Sequence, residues 1–316
     1  MRPKVEYISG ESLHHPEVVR WRQRIKERYT PPDGAAVALL LPCSATKPYS
    51  ASPSHRRFIQ AIRRAARRKR RLVHEVIMTS PLALVPRELE NLYPACCYDT
   101  TLTGHWSDEE KEVLAEALRR YAERFEGELL CYAGEAYAEV CESLGIEVVA
   151  RENLLHNDSL KTLEVRLSQA LAGKRGRGYT VLEAHRRVAD FQFGSGAGEA
   201  LIPDDARINR GRIFHKGEQV AAVNPDHGYL ALTLRGGELL RHFSGYVVEL
   251  GFFPESSSIF VPGIENAGRE IRPGDEVIAV YKDEVVGVGR AILSGEELAT
   301  AERGLGIVLR HRKRVQ

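Results

Sequence analysis

At 316 residues the chain is longer than one ordinary domain and suits two or three. With 43% hydrophobic and 28% charged residues it can bury a sizeable core, and no apolar run reaches the ~20 residues that a membrane helix needs. A net charge of +2 excludes a polycation taken as a whole, and the five cysteines, odd in number and without a CxxC pair, argue for reduced thiols and against a zinc knuckle. The opening MRPKVEYISG lacks the apolar core of a signal peptide, so a cytoplasmic protein with no membrane attachment is expected. His14 and His15 fall in a polar N-terminal extension with no specific role.

The first predicted element is AVALLL (36–41), which reads as a fully buried strand. Residues 55–71 place Phe58, Ile59, Ile62, Ala65 and Ala66 on one face of an amphipathic helix. LVHEVIM (72–78) is a second strand, and a long helix follows over 107–125, with Ser107 as N-cap and Glu110 as its capping-box partner. GELLCYA, EAYAEVCESL, IEVVA and DSLKTLEVRLSQALA continue as strand, helix, strand and helix, the last capped by Asp158 or Ser159. Such alternation implies a mostly parallel sheet covered on both faces, an α/β catalytic domain over residues 1–172. GKRGRG (173–178) reads as a basic, glycine-rich hinge, after which 173–243 reads as a small α+β module. From Ser244 to the end, YVVELGF, SIFVPGI, DEVIAVY, VVGVGRAIL and GIVLRHR predict a small β-barrel over 244–316.

Charge is unevenly placed. RRAARRKRR (63–71) and RHRKR (310–314) are basic runs in separate regions. One such run is commonly a solvated helix face, whereas two point to a phosphate backbone, with Arg67, Arg68, Arg70, Arg310, Arg312, Lys313 and Arg314 as candidate contacts.

In a parallel α/β sheet, ligands bind outside the carboxyl ends of the strands. The segment LPCSATKPYSASPSH, Leu41 to His55, starts at the end of the first predicted strand. Cys43 there sits near Lys47, His55 and a helix N-terminus, a setting that stabilises a thiolate. A lone cysteine at a strand end is more often a small buried filler, but the crowding of Lys47, Tyr49, Ser52 and His55 tips the reading toward chemistry. Tyr49 and Ser52 are candidate hydrogen-bond donors, and Tyr49 a candidate stacking platform. On the second rim, Glu88 and Asp99 are candidate acids, with His105 and Trp106 further on. Glu88 reads equally as a reader of a guanine-like edge or as a helix-surface charge. The rims GEAY and RENLLHND converge on the same crevice, while Cys96, Cys97, Cys131 and Cys141 read as structural filler. No metal site is expected.

Pro42-Cys43, Lys47-Pro48-Tyr49, Ser52 and His55, at their set spacing, resemble the signature of the archaeosine synthase family, as do SPLALVPRELENLYPACCYD and TGHW. IRPGDEVIAVYKDEVVGVGRAILSGEEL and RGLGIVLRHRK resemble a PUA domain, and the module before them the pre-PUA domain of archaeal tRNA-guanine transglycosylases. The first domain is similar in outline to uracil-DNA-glycosylase-like folds. The resemblance implies a tRNA substrate carrying 7-cyano-7-deazaguanine at position 15 of the D-loop, and an amine donor (lysine, glutamine or ammonia) added across the nitrile without a cofactor. It implies Cys43 as nucleophile, Lys47 or His55 as proton handlers, and Tyr49 and Ser52 positioning the base; Pro42, Glu88 and Asp99 stand beside them as further substrate-binding candidates. In that family a large transglycosylase-like barrel precedes this segment. A separate transglycosylase-like chain and, for a lysine adduct, a radical-SAM enzyme are therefore implied partners. The alternative is a non-catalytic tRNA-binding subunit; a base-excision glycosylase rests on fold analogy alone.

Overall fold

A computed structural model describes residues 5–7, 11–100 and 106–314. The chain forms two compact units, one of residues 1–187 with 226–228, the other of 188–225 with 229–316.

The first unit is built on a five-stranded sheet. In chain order the elements are β1 (Val5–Tyr7), α1 (Pro16–Glu27), β2 (Val37–Pro42), α2 (Pro53–Ala66), β3 (Val73–Thr79), β4 (Ala83–Pro86), β5 (Tyr98–Thr100), α3 (Asp108–Glu123), β6 (Glu128–Tyr132), α4 (Glu135–Ser143), β7 (Glu147–Ala150), α5 (Asn157–Ala170) and α6 (Val181–Phe193), the last crossing into the second unit. The sheet order is β4-β3-β2-β6-β7, and β1 pairs with β5 apart from it. β3, β2, β6 and β7 run parallel, whereas β4 turns back antiparallel on β3, with Thr79 opposite Ala83 and Val76 opposite Pro86. Burial on both faces explains the unbroken apolar run of β2. Val37, Leu39 and Leu41 pack with Phe58, Ala61 and Ile62 of α2 and Leu160, Leu163 and Leu167 of α5. On the opposite face Cys141 of α4 meets Met78 at 3.7 Å, and Tyr121 of α3 bonds His74.

The predicted strands and helices of this unit are present, and Ser107 and Glu110 form the expected reciprocal cap of α3. Four expectations change. The basic helix ends at Ala66 and continues as a 3-10 turn over Arg67–Leu72. The cap of α5 is His156, not Asp158 or Ser159. The N-terminal segment is no polar extension: Val18, Trp21 and Ile25 of α1 are buried, and Trp21 Nε1 donates to the Leu84 carbonyl at 3.0 Å. The glycine-rich segment is stitched down, because Tyr179 N donates to Arg71 O at 3.0 Å and Gly178, at φ +67°, lies so close that a Cβ would meet that carbonyl at 2.2 Å.

The second unit adds α7 (Ala197–Leu201), β8 (Arg207–Asn209), β9 (Arg212–His215), β10 (Glu218–Val223), β11 (Leu230–Leu232) and α8 (Leu234–Leu240), its four strands an antiparallel sheet. There follow β12 (Val247–Leu250), β13 (Ser258–Phe260), β14 (Ile264–Ala267), β15 (Glu276–Tyr281), β16 (Glu284–Ala291), α9 (Gly295–Thr300) and β17 (Leu305–Arg312), in the order β13-β17-β16-β15-β12-β14. The Gln192 side chain pins β11 through both the N–H and the carbonyl of Leu230.

Among the described residues no helix is long and apolar enough to cross a membrane, and no group of three or more His, Cys, Asp or Glu is arranged to hold a metal ion.

Candidate functional site

The chain leaving β2 passes toward β3 through α2, whereas the chain leaving β6 passes toward β7 through α4. Between the carboxyl ends of β2 and β6 the connections therefore diverge, which opens a crevice. Cys43 follows β2 directly, and Tyr137 lies in the first turn of α4. Their side chains meet in that crevice, Sγ to Oη at 3.0 Å. Pro42, Cys43, Ser54, Phe58, Asn153 and His156 line a cleft of about 620 Å³ there. Its far wall, the loop after β7, is tied down by Tyr132 Oη donating to the Leu154 carbonyl at 2.7 Å.

Cys43 is half-buried. Burial pushes its thiol up from the ordinary value, against the opposing pull of the Tyr137 hydroxyl, the Lys47 ammonium and the Thr79 hydroxyl. Burial, then the charge of a Cys43 thiolate, holds Tyr137 well above the usual phenol range, so it is a neutral hydroxyl. The Lys47 ammonium lies over the Tyr98 ring, 4.1 Å from its centroid, and 5.7 Å from that of Tyr49. Tyr98 Oη in turn contacts Tyr49 Oη at 2.6 Å and Thr79 Oγ1.

Several expected site residues are occupied in holding the loop. Tyr49 is fully buried, which leaves no ring face for a base to stack on. Ser52 is buried as the N-cap of α2, its Oγ accepting from His55 N at 3.1 Å. His55 is buried with both ring nitrogens engaged: Nε2–H donates to the Pro42 carbonyl at 2.9 Å, and Nδ1 accepts from Arg87 Nη2 at 3.0 Å. Burial, helped by the adjacent Arg87 charge, lowers its pKa to about 3, so it stands neutral with no proton to exchange with the cleft. Arg87 also pairs with Glu75 at 2.6 Å and Glu90 at 2.8 Å, and Glu90 accepts from Ser50 N at 2.9 Å. A buried ionic lattice thus braces the Cys43–His55 loop from beneath.

Glu88 does not reach the cleft. Because β4 is antiparallel, Glu88 emerges level with His74, five residues below Thr79 and so roughly 16 Å from the Cys43 rim along the strand direction. There it accepts from Tyr29 Oη at 2.6 Å and contacts His74 Nε2 at 3.1 Å. Burial pushes its carboxyl up, but His74 and Tyr29 outweigh that and hold it below the usual range. Asp99 belongs to β5, but its side chain, like all of His105, lies outside the described residues. Trp106 is described and packs edge-on against Tyr137, centroids 4.7 Å apart.

The basic runs divide similarly. Arg70 pairs with fully buried Glu75 and donates to the Val73 carbonyl at 3.0 Å, so it is a structural counter-ion. Arg67 and Arg68 are exposed. In the second unit RHRKR is no loose tail, since β17 includes residues 310–312. Arg310 pairs with buried Glu276 and donates to the Leu232 carbonyl at 2.9 Å; Glu276 also accepts from Leu232 N at 2.7 Å. Arg312 is half-buried over the Pro254 carbonyl, Lys313 lies 3.3 Å from Glu284, and Arg314 is exposed. Of the other cysteines, Cys96 contacts Cys97 at 3.0 Å, while Cys131 and Cys141 are free thiols, both buried, and the neighbouring Cys141 thiol together with burial pushes Cys131 up. Tyr137 and Thr79 are the site residues that sequence reasoning did not single out. The GEAY rim carried Tyr137, but nothing in its spacing marked it as Cys43's neighbour.

Residues 18–167 match the family described as domain of unknown function (DUF5591), residues 183–246 the patch-forming domain C2 of tRNA-guanine transglycosylase, and residues 254–312 the PUA domain. Among curated proteins, the chain is 40% identical over 326 residues to archaeosine synthase subunit alpha of Methanosarcina acetivorans, covering 97% of this chain and 51% of that one. To archaeosine synthase of Haloferax volcanii it is 36% identical over 321 residues, 96% and 53% of the two chains. Among solved structures, that of AF0587, a protein of unknown function, superposes with a TM-score of 0.70 at 26% identity over 93% of this chain and 100% of that one.

The fold and these matches define a class: an α/β domain with a thiol at its switch point, in one chain with a PUA domain. Within that class the chain is a homologue of the archaeosine synthases. It spans about half the length of the curated relatives it matches.

Proposed function

We propose that this chain is a tRNA-modifying transferase of archaeosine biosynthesis, adding an amine nitrogen to the nitrile of 7-cyano-7-deazaguanine in the tRNA D-loop. The observation that carries this reading is the Cys43 thiol at the switch point, on the wall of a cleft of about 620 Å³. Homology to proteins named archaeosine synthase supports the choice of substrate.

The chemistry balances through Cys43. Its sulfur adds to the nitrile carbon, one C–N π bond breaks, and the nitrogen takes up the thiol proton to give a thioimidate. Ammonia or the amine of lysine then adds to the same carbon, and the sulfur leaves with a proton, forming an amidine and restoring the thiol; glutamine would serve as a source of ammonia, released with glutamate when water hydrolyses its amide. This divides one hard addition into two easier steps. In this reading Tyr137, whose neutral hydroxyl lies 3.0 Å from Sγ, passes the proton between the sulfur and the imidate nitrogen. The Lys47 charge favours the thiolate against burial.

The same reading assigns three segments, 1–172 for catalysis, 173–243 as pre-PUA and 244–316 as PUA, the last two gripping tRNA. Matches at 18–167, 183–246 and 254–312 support that division. Four parallel strands with helices on both faces support the uracil-DNA-glycosylase-like outline. A separate transglycosylase-like chain, and a radical-SAM enzyme for a lysine adduct, complete the proposed setting.

The test is nucleoside mass spectrometry of nitrile-bearing tRNA incubated with the protein and each amine. A mass gain matching one donor, absent with Cys43→Ala, is the expected result. No mass gain with any donor, with and without the transglycosylase-like chain, would leave the protein a tRNA-binding subunit.

A further inference from the structure

A second concave surface lies on the same two helices that wall the Cys43 cleft. α2 and α5 pack side by side, burying Phe58, Ile62, Leu160 and Leu163. Their N-terminal ends meet at the cleft, where Ser54 and Phe58 of α2 face His156, the cap of α5. Toward their other ends, Arg64, Arg67, Lys161, Glu164, Ser168 and Gln169 line a groove of about 810 Å³.

Three cations and one acid make this groove electropositive. Glu164 is largely covered by them, accepting from Arg64 Nε at 2.6 Å with Lys161 Nζ 3.8 Å away, so the cations outnumber the charge that holds them. Arg56, Arg57, Arg63 and Arg68 are exposed along the same stretch of chain, and Arg57 donates to neutral Asn157 across to α5. Arg67 holds φ +47° at the C-cap of α2, a conformation that glycine adopts without strain. Backbone suitability does not favour arginine at that position, whereas a cation aimed into the groove does.

We infer that the α2–α5 groove carries the sugar-phosphate backbone of the RNA whose base enters the Cys43 cleft. The inference rests on the proposed tRNA substrate and deepens it by assigning the track and its polarity, from the cleft at the helix N-termini to Arg67 at the far end. Guanidinium forks match phosphate oxygens in pairs, and Gln169 adds a neutral donor between the charges. An anionic membrane would meet a flat or convex surface better than a groove between two helices. An acidic protein segment offers no reason for the groove to share its two helices with the Cys43 cleft.

The experiment measures binding of unmodified tRNA transcript across a salt series, so that it needs no catalysis. Each phosphate contact contributes a slope of about 0.7–0.9 in log affinity against log salt. Combined Arg64→Gln, Arg67→Gln and Lys161→Gln should make the slope shallower by about two units and weaken low-salt binding at least about tenfold. Ser168→Glu, an exposed change that puts an acid in the groove, should weaken binding several-fold. Unchanged slope and affinity in both variants would overturn the inference, including the case in which the triple variant loses only binding to phosphatidylserine vesicles. If the wild-type protein binds no tRNA at all, the proposed substrate itself fails; if it binds tRNA and both variants match it, only the track fails.

Discussion

Arg87 donates through Nη2 to His55 Nδ1 at 3.0 Å, and that contact decides which ring nitrogen of His55 keeps the proton. With Nδ1 an acceptor, Nε2–H is left to hold the Pro42 carbonyl, one residue before the thiol. His55 therefore acts on Cys43 through the backbone.

This gives a pH dependence of known sign. The unfolded chain protonates His55 below its ordinary pKa, whereas the folded chain resists down to about pH 3. Stability from this site is thus complete above the ordinary pKa and falls as pH drops toward 3. The loss should be about 2–3 kcal/mol between pH ~6.5 and pH ~4.5, read by urea unfolding. His55→Gln should be less stable at neutral pH and should lack that part of the slope. A variant whose stability runs parallel to wild type would show that His55 titrates normally.

Glu75 has no solvent exposure and depends on Arg87 and Arg70. Burial pushes its carboxyl up, and the two guanidinium groups more than reverse that. Removing it takes away two of the hydrogen bonds to the Arg87 guanidinium and leaves Glu90 as its remaining carboxylate, so Glu75→Ala should cost up to about 3–5 kcal/mol in denaturant unfolding. Arg70→Gln should cost less, because Arg87 remains paired with Glu75 and Arg70 is partly solvated.

Because burial holds the Cys43 thiol above its ordinary pKa, alkylation by iodoacetamide should be slow at neutral pH and still be rising past pH ~9. Tyr137→Phe removes a hydrogen bond that favours the thiolate, so it should move the profile to still higher pH. Peptide mapping should find Cys131 and Cys141 unmodified in the folded protein. A profile that does not move in Tyr137→Phe would remove Tyr137 from the proposed proton path.

In the second unit, Arg310 and its neighbours should separate by assay. Arg310→Ala strands buried Glu276, whose carboxyl burial already pushes up, and should destabilise the fold by about 3–5 kcal/mol. Lys313→Gln with Arg314→Gln should leave the unfolding midpoint in place and weaken tRNA binding. A deletion meant to remove tRNA contacts should start at Val188, since one starting at residue 244 cuts through a compact unit.

The alternation of strand and helix, the α3 capping box and the position of Cys43 after a buried strand could all be read from the sequence, because each depends on local periodicity. What could not be read depends on partners distant in the chain. Ala83–Pro86 is a four-residue strand bounded by prolines, too short to signal its reversal, and that reversal sends Glu88 to the wrong end of the sheet for the cleft. Arg70 looks like its exposed neighbours in sequence, and only the fold brings Glu75 to it. The α1 helix did carry a signal, Val18, Trp21 and Ile25 at helical spacing, hidden among charged residues.

The inward direction of Tyr49, Ser52 and His55 changes what the presence of their motif means. These side chains shape a loop, and a related protein that had exchanged its thiol for an inert residue would need them just as much to fold. Retention of the spaced motif is then evidence of shared architecture, and activity in any such relative should be judged at the residue matching Cys43.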